Sequence, residues 1–306
     1  MKDLYFVSNF YKFQKLSEQR LHALPGEIEI FAAAHSLCGL LLLGMEGING
    51  TVAGKHKAVA RFKTFLSETF PGLLFKDGFA ERSPFRRFKL RTVTEIVALG
   101  RPDIFPQDSK QSYLDPAEWE SALAARPQAV LLDVRNRYET RIGKFKNATE
   151  LGIDKFNQLE EALERACLPK DAPIFTYCTG GIRCEKAVLA LRAKGYSDVW
   201  QLRGGILRYL EEFPQQRFEG ECFVFDHRVS VDQQLRPTSE YALCPHCGDP
   251  GKERILCANC ERNAVICASC LQIPSRATCS KNCAYHYARN LARRPNSQSH
   301  SSACSS

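Results

Sequence analysis

Apolar positions along the first hundred residues alternate between stretches of strand period and stretches of helical period. The strand-like stretches are short apolar runs, whereas residues 56–70 carry apolar side chains three and four positions apart. The predicted elements are strand 5–13, a helix opened by Ser17 and Glu18, strand 39–43, a turn at 46–52 leading into a strand, helix 56–70 and strand 85–93. The order β-α-β-β-α-β predicts a ferredoxin-like split βαβ domain over residues 1–100.

The pattern changes after residue 112, where short strands alternate with helices. Asp115-Pro116-Ala117-Glu118 is a helix start: Asp115 accepts from first-turn N–H groups, Pro116 loses no hydrogen bond there, and Glu118 completes a capping box. The elements that follow are strand 129–134, helix 159–166, strand 174–177, helix 185–194, strand 199–202 and helix 206–213. This alternation predicts a parallel α/β sheet over residues 113–216, with ligands at the carboxyl ends of its strands.

Composition marks the remaining boundaries of the 306-residue chain, whose length is typical of a multidomain protein. Residues 101–112 (RPDIFPQDSKQS) are rich in Pro and polar side chains and are predicted to form a linker. Residues 217–290 form a Cys-rich region. The Ser-rich end, residues 291–306, is predicted to be disordered.

One segment, residues 174–191 (IFTYCTGGIRCEKAVLAL), combines a strand, a tight loop and a helix. The strand ends at Cys178, and helical spacing begins at Cys184. Gly180 and Gly181 let backbone N–H groups turn toward one point at a helix N-terminus, where they form an anion-binding nest. A thiol placed there has a lowered pKa, because the helix dipole and the N–H groups favour the thiolate. The loop therefore predicts a reactive Cys178.

This strand–cysteine–loop–helix unit resembles the active-site loop of rhodanese domains, in which the cysteine carries sulfur as a persulfide. Residues 130–135 (VLLDVR), with Glu139 after them, resemble the rhodanese strand that ends in Asp-x-Arg, and residues 199–205 (VWQLRGG) resemble the closing strand and Gly-Gly turn. The resemblance implies a rhodanese domain over residues 113–216, with Asp133 and Arg135 in its site. The alternative is a buried, inert cysteine at a strand end.

Eight cysteines in four closely spaced pairs dominate the Cys-rich region. The pairs are Cys244-x2-Cys247, Cys257-x2-Cys260, Cys267-x2-Cys270 and Cys279-x3-Cys283. Such spacings let two thiolates approach one tetrahedral metal ion, so the eight predict two zinc sites, paired sequentially or cross-braced. His246 and His286 are alternative ligands or simply exposed side chains. A disulfide framework and an iron–sulfur site are the other interpretations.

Cysteine usage and the N-terminus bear on the compartment. The first residues (MKDLYFVSNFYKF) show no apolar segment behind a basic start, so we expect no signal peptide. The strongest apolar run, residues 40–43, is far too short for a membrane span. With 14 cysteines and no export signal, the chain is expected in a reducing, cytoplasmic compartment, where metal ligation and catalysis outrank disulfides.

The net charge of +8 is concentrated in the two flanks of the chain. Residues 1–112 and 241–306 each carry +5, whereas residues 113–216 are balanced. A polyanion held from both sides of a neutral catalytic core suits this distribution, and solubility is the alternative explanation.

Residues 82–91 (RSPFRRFKLR) combine cations with aromatic side chains in the N-terminal flank. The candidate RNA-binding residues are Arg82, Arg86, Arg87, Lys89 and Arg91, and strand alternation places the last three on one face. Phosphate contacts and aromatic stacking on Phe85 and Phe88 are what single-stranded RNA recognition uses. The alternative is a solvated basic strand with two core phenylalanines.

The whole arrangement resembles the tRNA uridine(34) hydroxylases. EGINGTVAG (residues 46–54) in the ferredoxin-like part, CTGGIRC (residues 178–184) and the Cys-rich end carry the resemblance, which covers nearly all of the chain except the tail. It implies oxygen-dependent formation of 5-hydroxyuridine at the wobble position, with tRNA as partner and molecular oxygen as co-substrate. Cys178 takes the place of the family's reactive cysteine, and Cys184 is the second loop cysteine typical there.

A chemical hypothesis connects the loop to this reaction. Addition of the Cys178 thiolate to uridine C6 makes C5 enolate-like, and loop N–H groups or Arg183 stabilise the developing negative charge. Cys184 either protects and resolves an oxidised Cys178 or is a small core residue. Two other function classes remain: a sulfurtransferase using a Cys178 persulfide, and a zinc-dependent interaction protein with an inert rhodanese domain, which the intact Cys178 disfavours.

Overall fold

The computed structural model describes residues 4–106 and 112–292, which form two compact units that divide between Ser239 and Glu240. Residues 107–111 of the predicted linker and residues 293–306 of the predicted disordered tail lie outside the described residues. Over the described ranges, none of the helices combines the length and the apolar character of a membrane span.

The first unit begins with a five-stranded sheet that packs two helices on one face. Its elements are β1 (Tyr5–Phe13), α1 (Glu18–Ala34), β2 (Cys38–Gly44), β3 (Gly47–Gly54), α2 (His56–Thr69), β4 (Leu74–Ala80) and β5 (Phe88–Thr92). The strand order is β4-β1-β3-β2-β5, antiparallel except for β5, which runs parallel to β2. The predicted ferredoxin-like fold is confirmed, with β5 as an added edge strand.

The predicted position of the fourth ferredoxin strand was wrong. That strand is β4 (LFKDGFA), whereas the predicted last strand, residues 85–93, is shorter and forms β5 at the opposite edge of the sheet. Among the described residues, β4 pairs with β1 alone and has a single buried residue, so its sequence lacks the apolar alternation of a half-buried strand. An edge strand with Lys76, Asp77 and Gly78 at its centre was therefore missed.

Strand alternation gives this sheet one covered face and one open face. Phe10 on β1 packs with Ile28 of α1 and Phe62 of α2 in the core beneath the helices. Tyr11, the next residue of β1, points to the opposite face together with Lys76 of β4. The open face carries polar and aromatic side chains, which makes it available to a ligand.

Helix starts follow the predicted caps. The Ser17 hydroxyl accepts from the N–H of Arg20 at 3.2 Å at the start of α1. At the start of the helix that begins at Pro116, the Glu118 carboxylate accepts from the N–H of Asp115 at 2.9 Å. Local polar residues thus fix where both helices begin.

The central part of the first unit is a parallel α/β layer. Its elements are β6 (Tyr113–Leu114), α3 (Pro116–Ala125), β7 (Val130–Asp133), α4 (Arg137–Thr140), β8 (Gly143–Phe145), β9 (Thr149–Glu150), α5 (Leu159–Ala166), β10 (Ile174–Tyr177), α6 (Ile182–Ala193), β11 (Val199–Leu202) and α7 (Gly205–Glu212). The sheet has the parallel order β6-β11-β10-β7-β9. One core packs α5 and α6 against it, and another packs α3 and α7 around Trp119. The predicted parallel sheet is confirmed.

Residues 217–239 belong to the first unit, although the sequence groups them with the Cys-rich region. β12 (Phe218–Gly220) pairs with β8, and β13 (Cys222–Phe223) pairs with β14 (Ser230–Val231). Phe218, Cys222 and Val224 are buried in the core around Trp119. Their burial explains why the compact Cys-rich unit begins only at Glu240.

The second unit is built of short elements around its cysteines. They are β15 (Ala242–Leu243), β16 (Pro250–Gly251), β17 (Glu253–Leu256), β18 (Asn263–Ile266), α8 (Ala268–Leu271) and α9 (Lys281–Ala292). Its buried cluster consists of Ile266 and three cysteines, with Ile255 packed against it. A core of this size is too small to stabilise a domain alone, so the fold calls for a further crosslink.

Candidate functional site

The predicted reactive cysteine lies at the carboxyl end of β10, immediately before the turn that leads into α6. The N–H of Gly181 points at Cys178 Sγ with an N···S distance of 3.1 Å. Gly181 has φ of +101°, and a Cβ at this position would lie 2.8 Å from the Tyr11 hydroxyl oxygen. Only glycine suits both constraints, so the second loop glycine is a requirement of the geometry.

Three carbonyl groups of the loop accept hydrogen bonds from groups outside it. The carbonyls of Cys178 and Thr179 accept from the N–H groups of Ile206 at 3.0 Å and Leu207 at 3.1 Å. These two donors lie in the first turn of α7, after the predicted Gly-Gly turn. The carbonyl of Gly180 accepts from Nζ of Lys76. These three carbonyls are bound elsewhere, and the N–H groups of Gly181, Arg183 and Cys184 face the sulfur, as expected of an anion-binding nest.

The electrostatics of the loop favour a thiolate on Cys178. Burial alone raises the pKa of Cys178, but a hydrogen bond from the Cys184 thiol, the charge of Arg183 and backbone N–H groups outweigh it and lower this pKa to about 5. Burial and the same hydrogen bond raise the pKa of Cys184. The pair therefore holds one ionised and one neutral sulfur near neutral pH.

Arg183 is tied to a buried carboxylate from another helix. Its Nη2 donates to Oε1 of Glu139 at 2.7 Å, and the Thr179 hydroxyl donates to the same oxygen at 2.9 Å. Burial would raise the pKa of Glu139, but the neighbouring Arg183 lowers it. Glu139 thus fixes two side chains of the cysteine loop, and it forms an ion pair with the guanidinium that the sequence suggests as an oxyanion stabiliser.

Asp133 and Arg135 form a buried ion pair and do not line the cavity described below. Arg135 Nη2 lies 2.6 Å from Asp133 Oδ2 and donates to the Gly143 carbonyl at 2.7 Å. The Tyr177 hydroxyl donates to Asp133 at 2.7 Å. Because Tyr177 immediately precedes Cys178, this network fixes the end of the strand from which the cysteine projects.

A cavity of about 1150 Å³ opens beside the cysteine loop. Tyr11, Lys76 and Arg91 line it from the open face of the N-terminal sheet, and Cys178 and Glu185 line it from the parallel sheet. The cavity therefore lies where ligands bind in parallel α/β domains, at the carboxyl ends of the strands, with a second sheet as its other wall.

The eight predicted metal ligands form two groups in the second unit. The groups are Cys244, Cys247, Cys267 and Cys270, and Cys257, Cys260, Cys279 and Cys283, with the sulfur atoms of each within 4.8 Å of one another. Sulfur–sulfur distances of 3.5 Å join Cys247 to Cys267 and Cys260 to Cys279. Four thiolates about 2.3 Å from a tetrahedral zinc ion would be about 3.8 Å apart, so the donor sets fit this metal.

The pairing of these cysteines is cross-braced, with the first pair joining the third and the second joining the fourth. His246 Nε2 lies 2.8 Å from the carbonyl oxygen of Thr278. Neither His246 nor His286 contributes to a metal-binding group among the described residues. The structure therefore favours an all-cysteine donor set.

Comparisons with known proteins agree with these parts. Family models described as UPF0176 acylphosphatase like domain, Rhodanese-like domain and Rhodanase C-terminal match residues 5–96, 116–212 and 219–284. A Bdellovibrio bacteriovorus protein named tRNA uridine(34) hydroxylase is 43% identical over 298 residues, which cover 96% of this chain and 85% of that protein. A Deinococcus radiodurans protein of the same name is 41% identical over 250 residues, covering 80% and 82%.

The chain belongs to the tRNA uridine(34) hydroxylase family. The resemblance carried by EGINGTVAG and CTGGIRC is thereby confirmed. In this member of the family, Glu46 of the first motif accepts from Nζ of Lys186 at 2.8 Å, and Glu95 accepts from the same ammonium at 2.6 Å. All three side chains are less than a tenth exposed. The motif therefore joins the N-terminal sheet to α6, the helix that follows the cysteine loop.

The predicted RNA-binding cations are all exposed but do not share one strand. Arg82, Arg86 and Arg87 precede β5, whereas Lys89 and Arg91 lie on β5 opposite Leu40 and Leu42. Arg91 also lines the cavity, as does Phe85. Phe88 packs against Phe62 in the core, with ring centroids 6.4 Å apart, so it does not offer a free stacking face.

Glu185 and Lys76 line the cavity and were missed by sequence reasoning. Glu185, directly after Cys184, accepts from the hydroxyls of Tyr11 at 3.0 Å and Tyr113 at 2.8 Å, and burial raises its pKa. Its place in the first turn of α6 was the available signal. Lys76 had no such signal, because it lies in the strand whose pattern was not recognised.

Proposed function

We propose that this chain catalyses the oxygen-dependent hydroxylation of the wobble uridine, position 34 of tRNA, to 5-hydroxyuridine. The observation that carries the proposal is the Cys178 thiolate held beside a cavity of about 1150 Å³ in a chain of this family. Such a volume accommodates a nucleotide together with neighbouring backbone. The proposed enzyme is an oxidoreductase whose partner is tRNA.

The first chemical step is addition of the Cys178 thiolate to C6 of the uracil ring. The Sγ–C6 bond forms while the C5=C6 electron pair moves toward C5 and O4, which makes C5 enolate-like and able to react with oxygen. In the overall reaction one atom of O2 enters the C5–O bond and the other leaves as water. Two electrons and two protons come from an external two-electron donor.

The other predicted catalytic residues receive different roles. Arg183 stabilises the Cys178 thiolate by its charge, and its ion pair with Glu139 holds it in place. Asp133 and Arg135 are positioning residues, since their ion pair supports the strand end before Cys178. Cys184 donates a hydrogen bond that stabilises the thiolate. We infer that its thiol also condenses with a sulfenic acid formed on Cys178, giving a disulfide and water.

The basic segment before and along β5 is proposed to contact tRNA phosphates. Its five cations are exposed, and Arg91 lies at the cavity itself. Replacing Arg86 and Arg87 with Glu should weaken tRNA binding and flatten the dependence of log affinity on log salt by about two units, without changing Cys178 reactivity. Unchanged affinity and slope would remove this segment from the interface.

Zinc is proposed as the metal of both cysteine groups, with a structural role. Each group offers four thiolates and no position for a substrate, as in structural zinc sites. Zinc bound there would fasten the second unit, whose own apolar core is small. A reducing compartment, the cytoplasm, is proposed because these thiolates and the Cys178–Cys184 pair function only when reduced.

Replacement of Cys178 with Ser tests the proposed function. A serine hydroxyl is not ionised near neutral pH and is not expected to add to C6, so 5-hydroxyuridine should disappear from tRNA while the fold remains intact. Nucleoside mass spectrometry of tRNA from cells carrying only the variant gives the readout, and the exposed Cys167→Ser is the matched control. Full hydroxylation by folded Cys178→Ser protein would refute the proposed nucleophile.

A sulfurtransferase acting through a Cys178 persulfide is the second candidate. It is favoured by the N–H groups that converge on the sulfur, because the same nest would stabilise a terminal persulfide anion. This candidate predicts that Cys178→Ser loses sulfur transfer from thiosulfate and retains wobble hydroxylation. Both products can be measured on one pair of samples.

A further inference from the structure

We propose that Lys76, from the N-terminal sheet, is a catalytic residue that stabilises the negative charge developing on uracil O4 as Cys178 adds to C6. This inference rests on the proposed function and names the group that receives the charge. In this proposal the ferredoxin-like domain supplies a side chain to the addition step itself, in addition to any role in binding tRNA.

Position is the first argument. Nζ of Lys76 donates to the carbonyl of Gly180, two residues after the nucleophile, and lies 5.6 Å from the centre of the Tyr11 ring. Lys76, Tyr11 and Cys178 all line the same cavity. A base whose C6 approaches Cys178 thus meets the Lys76 ammonium on the wall contributed by the other sheet.

Donor capacity is the second argument. An ammonium has three N–H donors, and within the described residues Lys76 uses one, for the Gly180 carbonyl. Three cavity cations of the parallel α/β layer are more committed: Arg183 forms an ion pair with Glu139, and Arg203 and Arg208 form ion pairs with Asp115. Lys76 thus contacts the cysteine loop through one donor and keeps its charge and two donors for a ligand oxygen.

Electron flow is the third argument. When Sγ–C6 forms, the C5=C6 pair moves into conjugation with the C4 carbonyl, so O4 carries most of the new negative charge. A hydrogen bond from an ammonium to that oxygen is stronger in the transition state than in the ground state, which is the requirement for catalysis. No oxidant or reductant takes part in this step.

Exchange of the uridine C5 hydrogen isolates the step. Under anaerobic conditions in D2O, reversible addition of Cys178 lets the enolate take up a deuteron at C5, lose the original proton and expel the thiolate. Uridine 34 then gains one mass unit in nuclease fragments of the tRNA, with no hydroxylation. We expect Lys76→Met to slow this exchange and the aerobic hydroxylation by about 100-fold, with KM for tRNA little changed.

Two further variants of the full-length protein complete the test. Lys76→Arg keeps the charge and should recover part of the lost rate. Lys63→Met removes a lysine that contacts the same strand through Asp77 but lies outside the cavity, and it should leave both rates unchanged. Iodoacetamide alkylation of Cys178 should also proceed normally in Lys76→Met, because backbone N–H groups hold the thiolate.

The pH profile supplies an independent readout. Lys76 faces Cys178, Cys184 on α6, Arg208 and Glu211 on α7 and Tyr11 on β1, and burial lowers its pKa to about 8. The ammonium is lost as pH rises, so exchange catalysed by the wild-type protein should decline above about pH 8. Lys76→Arg should lack this decline, because a guanidinium does not titrate there.

The outcomes separate cleanly. Wild-type exchange rates in Lys76→Met would overturn the role of Lys76 and leave the proposed function standing. Slower alkylation of Cys178 in that variant would show that Lys76 only holds the loop, which also overturns it. If wild-type protein neither exchanges C5 hydrogen nor forms 5-hydroxyuridine, the proposed function fails and the role of Lys76 fails with it.

Discussion

Cysteine sulfur is stabilised in two different ways in the two units of this chain. In the first unit, the charge on Cys178 is held by the Gly181 N–H, the Cys184 thiol and the Arg183 guanidinium. In the second unit, eight sulfurs meet in two groups of four, and the sulfurs of each group lie within 4.8 Å of one another. The first arrangement leaves a sulfur free to react, whereas the second calls for a cation to hold it.

The difference teaches that spacing alone does not decide what a cysteine pair does. Cys178 follows a strand and Cys184 lies in the first turn of the helix after the loop. The Cys178 sulfur therefore accepts from the loop N–H groups, and the Cys184 thiol donates a hydrogen bond to it. The C-terminal pairs are separated by two or three residues in short turns, so both sulfurs point to one place. Local backbone geometry therefore favours the proposed catalytic role for one pair and the proposed metal ligation for the others.

The largest expected effect concerns the cross-braced metal groups. The purified protein should contain about two zinc ions per chain, the number that eight thiolates fill. Cys244→Ser with Cys267→Ser damages one group and should leave one zinc, whereas Cys244→Ser with Cys257→Ser damages both and should leave none. Elemental analysis is the measurement, and sequential pairing would reverse the two results. Chelation should unfold residues 240–292 without changing Cys178 alkylation.

A smaller but substantial effect is expected when the carboxylate beneath the cysteine loop is neutralised. Glu139→Gln leaves the buried Arg183 guanidinium without its partner and should lower the free energy of unfolding by about 3 kcal/mol. The exposed Glu161→Gln, which loses an ion pair with Arg165, is the control and should change it by less than about 0.5 kcal/mol. Urea unfolding measures both.

The pH dependence of that difference follows from the lowered pKa of Glu139. Its contribution is fully present above the pKa of an unfolded glutamate, about 4.3, and is lost as pH falls through the lower pKa of the folded state. The gap between wild-type and Glu139→Gln stabilities should therefore narrow on acidification. A constant gap down to the acid transition would show that Glu139 is not ionised in the fold.

The smallest expected effect is the difference between Cys178 and Cys184 in how their alkylation rates depend on pH. Alkylation of Cys178 by iodoacetamide should be independent of pH from 6 to 8 and fall with a midpoint at about pH 5, whereas Cys184 should react slowly throughout. Peptide mass spectrometry distinguishes the two sites. Cys184→Ala removes a hydrogen-bond donor and should move the Cys178 midpoint upward. A midpoint of Cys178 near that of a free thiol would contradict the nest.

Local sequence was sufficient for the cysteine loop and for most elements of both sheets. The strand ending at Cys178, its glycines and the helix after them are adjacent in the chain, so one segment encodes the nest. Tyr11 and Lys76 lie more than a hundred residues away from Gly180 and Glu185, and only the tertiary fold brings them together. Lys76 was further hidden because β4 is an exposed edge strand without a clear period.

The cross-braced order was also beyond the sequence, because both pairings satisfy the same spacing rule. The basic segment was predicted as part of one long strand, since residues 87–91 alternate cations with apolar side chains as a strand does. In the structure residues 81–87 are irregular, and only Lys89 and Arg91 of the predicted cations occupy strand positions. The charge pattern correctly indicated which cations are exposed, but it did not predict which of them lie in a strand.

The contact of Lys186 with Glu46 and Glu95 limits how this protein can be dissected. Lys186 lies within the segment that matches a rhodanese-like domain, whereas both carboxylates lie within the segment that matches the N-terminal domain. A recombinant fragment excised at the linker would retain a buried ammonium and leave both counter-charges behind. The boundaries of the two matched domains are therefore not boundaries at which the chain can be cut into separately folding parts. The N-terminal and rhodanese-like segments share one buried ionic contact and are expected to fold together.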